Sequence, residues 1–156
     1  MTTQPDLDNP FLAWDSGDLK KAFRLFLAHV RRGDRTFEIN VGYCYDLGLG
    51  TRKDRDEAMR WYRRAYARGD SAAASNIATI YRDEGRHTLK FAWYQRAAAL
   101  GDGDAQLEVA KCHLSSSGAP AHRGKAMTSL RHALKSSRIT PDGRDESVRL
   151  LDACRK

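Results

Sequence analysis

Trp61-Tyr62 and Trp93-Tyr94 stand 32 residues apart, and each is followed by two polar residues, an Ala, and a Gly eight residues after the Trp. Self-similarity at such a period constrains a chain more than any single motif, because it marks stacked units that bury their apolar faces against one another. The frame extends in both directions. Leu25 lies 36 residues before Trp61 with Gly33 in register, and Ser129 lies 36 after Trp93 with Ala133 in register. A second frame rides on the first. Eight residues beyond Gly33, Gly69 and Gly101 come Val41, Ile77 and Val109, each followed by a small residue (Gly42, Ala78, Ala110) and then by Tyr45, Tyr81 and His113.

Each unit reads as two helices. Asp54 is a good N-cap with Glu57 at capping-box spacing, and Ala58, Trp61, Tyr62 and Ala65 recur at helical spacing up to Gly69. Asp70 caps a helix carrying Ala73, Ala74, Ile77, Ala78 and Tyr81, Thr88 caps the next through Leu100, and Asp102 or Asp104 starts another. A helix over about 124–136 follows the loop Ser115–Pro120, and Thr140-Pro141 opens the last one. No segment alternates apolar and polar residues, so no strand is predicted. The expectation is an all-α chain of about eight helices. Residues 1–9 are expected to be disordered, 10–138 to form the repeat array and 139–156 a C-terminal capping helix, with Phe11, Leu12 and Trp14 covering the first repeat helix.

These residues resemble the Sel-1-like repeat, a relative of the tetratricopeptide repeat. Val41-Gly42, Tyr45, Gly48, Gly50, Asp54, Ala58, Trp61, Tyr62, Arg64, Ala65 and Gly69 fill one copy of its pattern. Ile77-Ala78, Tyr81, Phe91, Trp93, Tyr94, Arg96, Ala97, Ala98 and Gly101 fill a second, and residues 19–33 and 104–137 are weaker copies. The resemblance implies an α-solenoid, a right-handed superhelix whose first helices line a concave surface, serving as scaffold or adaptor for another protein. Bacterial members also act as regulators and as immunity proteins beside secreted toxins. Both Trp residues are expected to be largely buried, filling the space between helices that small residues bring together.

No apolar run approaches membrane-spanning length, and the N-terminus lacks the basic start and apolar core of a signal peptide. Cys44, Cys112 and Cys154 are odd in number and far apart, which fits a reducing compartment, so a cytoplasmic location is expected. The net charge of +7 reads first as a solvated surface, and the sharper reading is attraction to an acidic partner, a protein or, as the alternative, nucleic acid. The arginines of the second helices (Arg60, Arg63, Arg64, Arg68, Arg96, Arg131) read as a solvated outer face.

Candidate chemistry is sparse. Cys112-His113 with His122 and His132 fits no zinc spacing, Gly48-Leu49-Gly50 follows a helix rather than a strand, and Ser115–Ser117 has no partnered base. No catalytic residue, metal or cofactor is expected. The remaining candidate is the stripe opposite the core positions of the first helices, carrying Ile39, Tyr43, Asp46, Ser75, Thr79, Arg82, Leu107 and Lys111. A face that mixes an aromatic, aliphatics and both charge signs suits recognition of a protein partner.

Overall fold

A computed structural model describes residues 9–155, which form nine α-helices and one 3-10 turn. The helices are α1 (Pro10–Asp15), α2 (Leu19–Arg31), α3 (Glu38–Leu47), α4 (Arg55–Tyr66), α5 (Ser71–Asp83), α6 (His87–Ala99), α7 (Gly103–Ser115), α8 (Arg123–Lys135) and α9 (Pro141–Ala153). Most begin where the sequence offers an oxygen to the unpaired amides of the first turn. Asp18, Asp54, Asp70 and Asp102 each accept from the amide three residues on, and Thr140 does the same for Gly143. Two starts differ from expectation. Helix α6 begins at His87, so Thr88 lies inside it and the cap position, Arg86, makes no side-chain capping bond. Helix α8 is capped by the His122 ring, whose Nδ1 accepts from the Lys125 amide at 3.1 Å. The helix beyond the expected eight is the short α1, whose N-cap Asn9 accepts from the Phe11 amide at 2.9 Å. The loose segment expected over residues 1–9 otherwise lies outside the described residues.

The chain divides into two compact units, residues 1–68 and 69–156. In the first, α1 packs on α2, and α3 pairs with α4. Its core gathers Ala22, Phe23, Phe26, Val30, Val41 and Cys44, with Phe26 between the rings of Phe11 and Phe37 at 5.5 and 5.6 Å. Gly42 sets the approach of α3 to α4. A Cβ there would stand 2.8 Å from the Tyr62 ring, so the missing methyl is the space that the tyrosine fills. In the second unit, each helix from α5 to α9 packs on the next, and α9 also touches α7. Leu107, Ala110, Ala126, Leu130 and Leu151 join α7, α8 and α9 in one core cluster.

The repeated Trp-Tyr pairs divide their roles in a way the expectation missed. Tyr62 is fully buried and Tyr94 is 5% exposed, while Trp61 and Trp93 are only half-buried. Adjacent residues on a helix point about 100° apart, so one of the pair can face the core. Ala58, Tyr62 and Ala65 share the buried stripe, and Trp61 falls on its flank. There the indole carries the guanidinium of Arg64 at 4.3 Å, and Arg96 covers Trp93 at 4.4 Å in the same way.

Candidate functional site

The second unit holds a groove of about 460 Å³ lined from α5, α7 and the start of α9, with Tyr94 of α6 also contributing. Five of the eight stripe residues line it: Ser75, Thr79, Arg82, Leu107 and Lys111. The helix caps build its rim. Asp102 caps α7 through Oδ1 while Oδ2 accepts from the Ser75 hydroxyl at 3.0 Å, and Asp104 accepts from the amide and hydroxyl of Thr140 at the head of α9. Lys111 bridges Glu108 at 3.0 Å and Glu146 at 2.9 Å, tying α7 to α9. Burial works against its charge, but the hydrogen bonds to Glu146 and Glu108 outweigh that and hold its pKa above the ordinary lysine value. Thr79 is hydrogen-bonded to Tyr94, whose phenol is raised chiefly by burial. Arg82 is exposed and pairs with Asp83 at 3.2 Å. Leu107 is a correction: it is 4% exposed because α8 and α9 cover it, so it forms the groove's floor and not an open contact residue.

Ile39, Tyr43 and Asp46 belong to the first unit. Tyr43 is 41% exposed beside Trp14 at 6.2 Å, and Leu47 one turn later is also exposed. Ile39 is half-buried. Asp46 is turned into the helix pair, with Arg55 at 3.7 Å and the Tyr62 hydroxyl beside it, so it is a packing contact before it is a surface one. The same unit holds a charged cluster that the stripe reasoning did not include. Glu38 is fully buried, and Arg35, Arg64 and Arg68 converge on it. Two of those arginines were expected to be merely solvated.

The match to known families rests on the same helix pairs. The model of the Sel1 repeat matches residues 38–70 and 91–102, which are α3 through the cap of α5 and the body of α6. These residues carry the Sel1 repeat. The Sel1 repeat fold is shared with a crystal structure from Oxalobacter formigenes, itself described as a Sel1 repeat protein, at TM-score 0.72 and 18% identity over 97% of this chain and 76% of that one. It is also shared with a protective antigen present in uropathogenic Escherichia coli strains, at TM-score 0.63 and 24% identity over 81% of this chain and 30% of that one. A similar sequence is DAP3-binding cell death enhancer 1, 30% identical in Rattus norvegicus and 28% in Mus musculus over 67 residues. That stretch is 43% of this chain, which spans only 13% of the length of those relatives.

The thiols and His113 are engaged in packing. All three cysteines are free and buried. Burial pushes the Cys44 thiol up to about 11, and burial likewise raises Cys112 although Lys90 opposes it. His113, replacing the repeat's Tyr, is buried with Nδ1 at 3.1 Å from the Pro120 carbonyl and its ring edge-on to Phe91. Among the described residues no three His, Cys, Asp or Glu side chains gather as a metal site, and no helix is long and apolar enough to cross a membrane.

Proposed function

We propose that this protein is a non-catalytic scaffold that works by stoichiometric capture of another protein, as an adaptor, regulator or toxin-neutralising immunity protein in a bacterial cytoplasm. One observation carries the reading. Side chains from four helices of the second unit converge on a groove that combines hydroxyls, an aliphatic floor and both charge signs, the mixture that protein interfaces use for orientation and contact area. The Sel1 repeat itself supports a protein partner. Residues 10–138 serve in this reading as the repeat array and 139–156 as its cap, an assignment supported by Leu151 covering the apolar faces of α7 and α8.

The test is affinity capture from the native host followed by titration of the purified partner. Arg82→Glu alters the groove at an exposed side chain, Thr79→Arg alters it at the cost of the contact with Tyr94, and Tyr43→Ala probes the first unit separately. Arg131→Glu on exposed α8 surface is the control. Groove variants should weaken binding at least about tenfold, the loss of one good interfacial contact, with helical content intact. Unchanged affinity in both groove variants, together with loss in Arg131→Glu, overturns the groove as the binding face.

A further inference from the structure

Glu38 opens α3 and is fully buried, yet it is oversupplied with cations. Arg35 Nε donates to Oε1 from 3.1 Å, Arg64 Nη2 donates to the same oxygen from 2.8 Å, and Arg68 Nη1 stands 3.6 Å from Oε2, which receives no hydrogen bond. A buried carboxylate needs one well-placed guanidinium to offset its desolvation. Three are present. Asp34 answers part of the excess: its carboxyl is held below the ordinary range first by the Thr36 hydroxyl and, more weakly, by His29 and Arg68. Counting Asp34, the cluster still keeps one positive charge, and His29, 4.0 Å from Asp34, adds a second when protonated.

The second unit shows that the helix pair does not require this arrangement. In repeat register, Arg35, Glu38 and Arg68 correspond to Ser71, Ala74 and Leu100, while Arg64 corresponds to Arg96. Helices α5 and α6 pack with no buried acid at that place, Ala74 being fully buried. The stacking of arginine on tryptophan belongs to both pairs; the other charges belong to one.

The cluster is also built to receive something. The Arg35, Arg64 and Arg68 side chains are 54%, 47% and 39% exposed. Arg64 is fixed between Trp61 and Glu38, and Arg35 is held through Nε. Each guanidinium has five N–H groups, of which Glu38 takes one from Arg35, one from Arg64 and none from Arg68. Side chains restrained before binding lose less freedom on binding.

We propose that Arg35, Arg64 and Arg68 form an oxyanion-recognition site on the first unit that takes the carboxylates of an acidic segment of a protein partner. A planar carboxylate matches the guanidinium fork. Three cations gathered on one point suit one or two carboxylates, whereas a nucleic acid strand needs cations spaced along a track. The partner's being a protein rests on the scaffold reading above; the groove takes no part.

The experiment titrates the full chain by calorimetry with a peptide alternating Glu and Gly, its Gln counterpart, and a single-stranded oligonucleotide of equal charge. Arg68→Gln is the main variant because it breaks no hydrogen bond to Glu38. Arg60→Gln removes the same charge from α4 at a side chain that pairs with Glu57. Thermal melts establish that both variants fold, and should Arg68→Gln fail to, Arg35→Gln replaces it. The acidic peptide should bind, weaken about tenfold in Arg68→Gln, as loss of a charge-assisted hydrogen bond implies, and change less than about twofold in Arg60→Gln. In the wild-type protein the Nε–H resonances of the three arginines should shift on adding it. Any of four results overturns the proposal: no peptide binding, equal loss in Arg60→Gln, stationary arginine resonances, or tighter binding of the oligonucleotide. Groove variants that keep their captured partner while this peptide still binds would reject the groove alone.

Discussion

Helix pairs α3–α4 and α5–α6 are two copies of one design that diverge where the design is indifferent. Both put a small residue (Gly42, Ala78) on the first helix, bury a tyrosine (Tyr62, Tyr94) from the second, and lay an arginine over a half-exposed tryptophan. Around that shared centre, α3–α4 buries Glu38 among three arginines, and α5–α6 has Ala74 at the equivalent place. Positions held in common are those where geometry leaves one solution. Positions that differ are left open by the shared packing, and the two units fill them differently: a cation cluster in the first, a mixed groove with several carboxylates in the second.

The sharpest way to break this comparison is to truncate the shared tyrosines. Tyr62→Ala and Tyr94→Ala should each cost about 3–5 kcal/mol in denaturant unfolding, as loss of a large buried aromatic does. Trp61→Ala and Trp93→Ala should cost less, about 1–2 kcal/mol, since each ring lies on the flank of the buried stripe and part of it already meets water; tryptophan losses equal to the tyrosine losses would restore the indoles as the core. Next comes Glu38→Ala, which should destabilise by about 1–2 kcal/mol through lost hydrogen bonds and packing, the arginines left behind being about half exposed and open to water. Ala74→Glu should not reproduce the cluster and should be destabilising in turn.

A comparable effect tests the close approach. Gly42→Ala forces a methyl against the Tyr62 ring and should lose about 1–2 kcal/mol in thermal melts despite the better helix propensity of Ala. A stabilised variant would mean that α4 yields easily. The mildest expectation concerns alkaline pH. Cys44 titrates near 11 when folded, against 9.0 for the free thiol. The unfolded chain therefore releases its proton first, and the stability present below pH 9 drains away as pH rises toward 11. By pH 10 the loss should be about 1 kcal/mol, from about one pKa unit of differential ionisation. Urea titrations of wild type and Cys44→Ala across that range measure it, and identical slopes would show that Cys44 is not the source.

The repeat period and the aspartate caps made the helices legible, because caps and helical spacing are local signals that no distant residue has to complete. Faces were harder to read. Leu107 lies on the side of α7 opposite Val109 and shares a cluster with Ala110, but α7 is packed against α6, α8 and α9, so both sides are covered. Trp61 and Tyr62 looked equivalent because both recur; only the direction in which each leaves the helix separates them. The Glu38 cluster depends on pairings 26 and 30 residues along the chain. An arginine's charge can be read from sequence, whereas its distant partner cannot, and so these side chains were assigned to solvent. Arg35-Thr36-Phe37-Glu38 carried the one local hint, an opposite-charge pair at helical spacing.

The guanidinium-capped indoles have a spectroscopic consequence. Trp61 and Trp93 occupy matching, partly buried settings under a cation, so their emission overlaps, and with Trp14 the intrinsic fluorescence of the intact chain averages three places. A chain keeping only Trp61, with phenylalanine at 14 and 93, would report on the arginine cluster alone, and one keeping only Trp93 would report on α6. The pair of single-tryptophan proteins would then follow the two units as separate signals in one unfolding experiment.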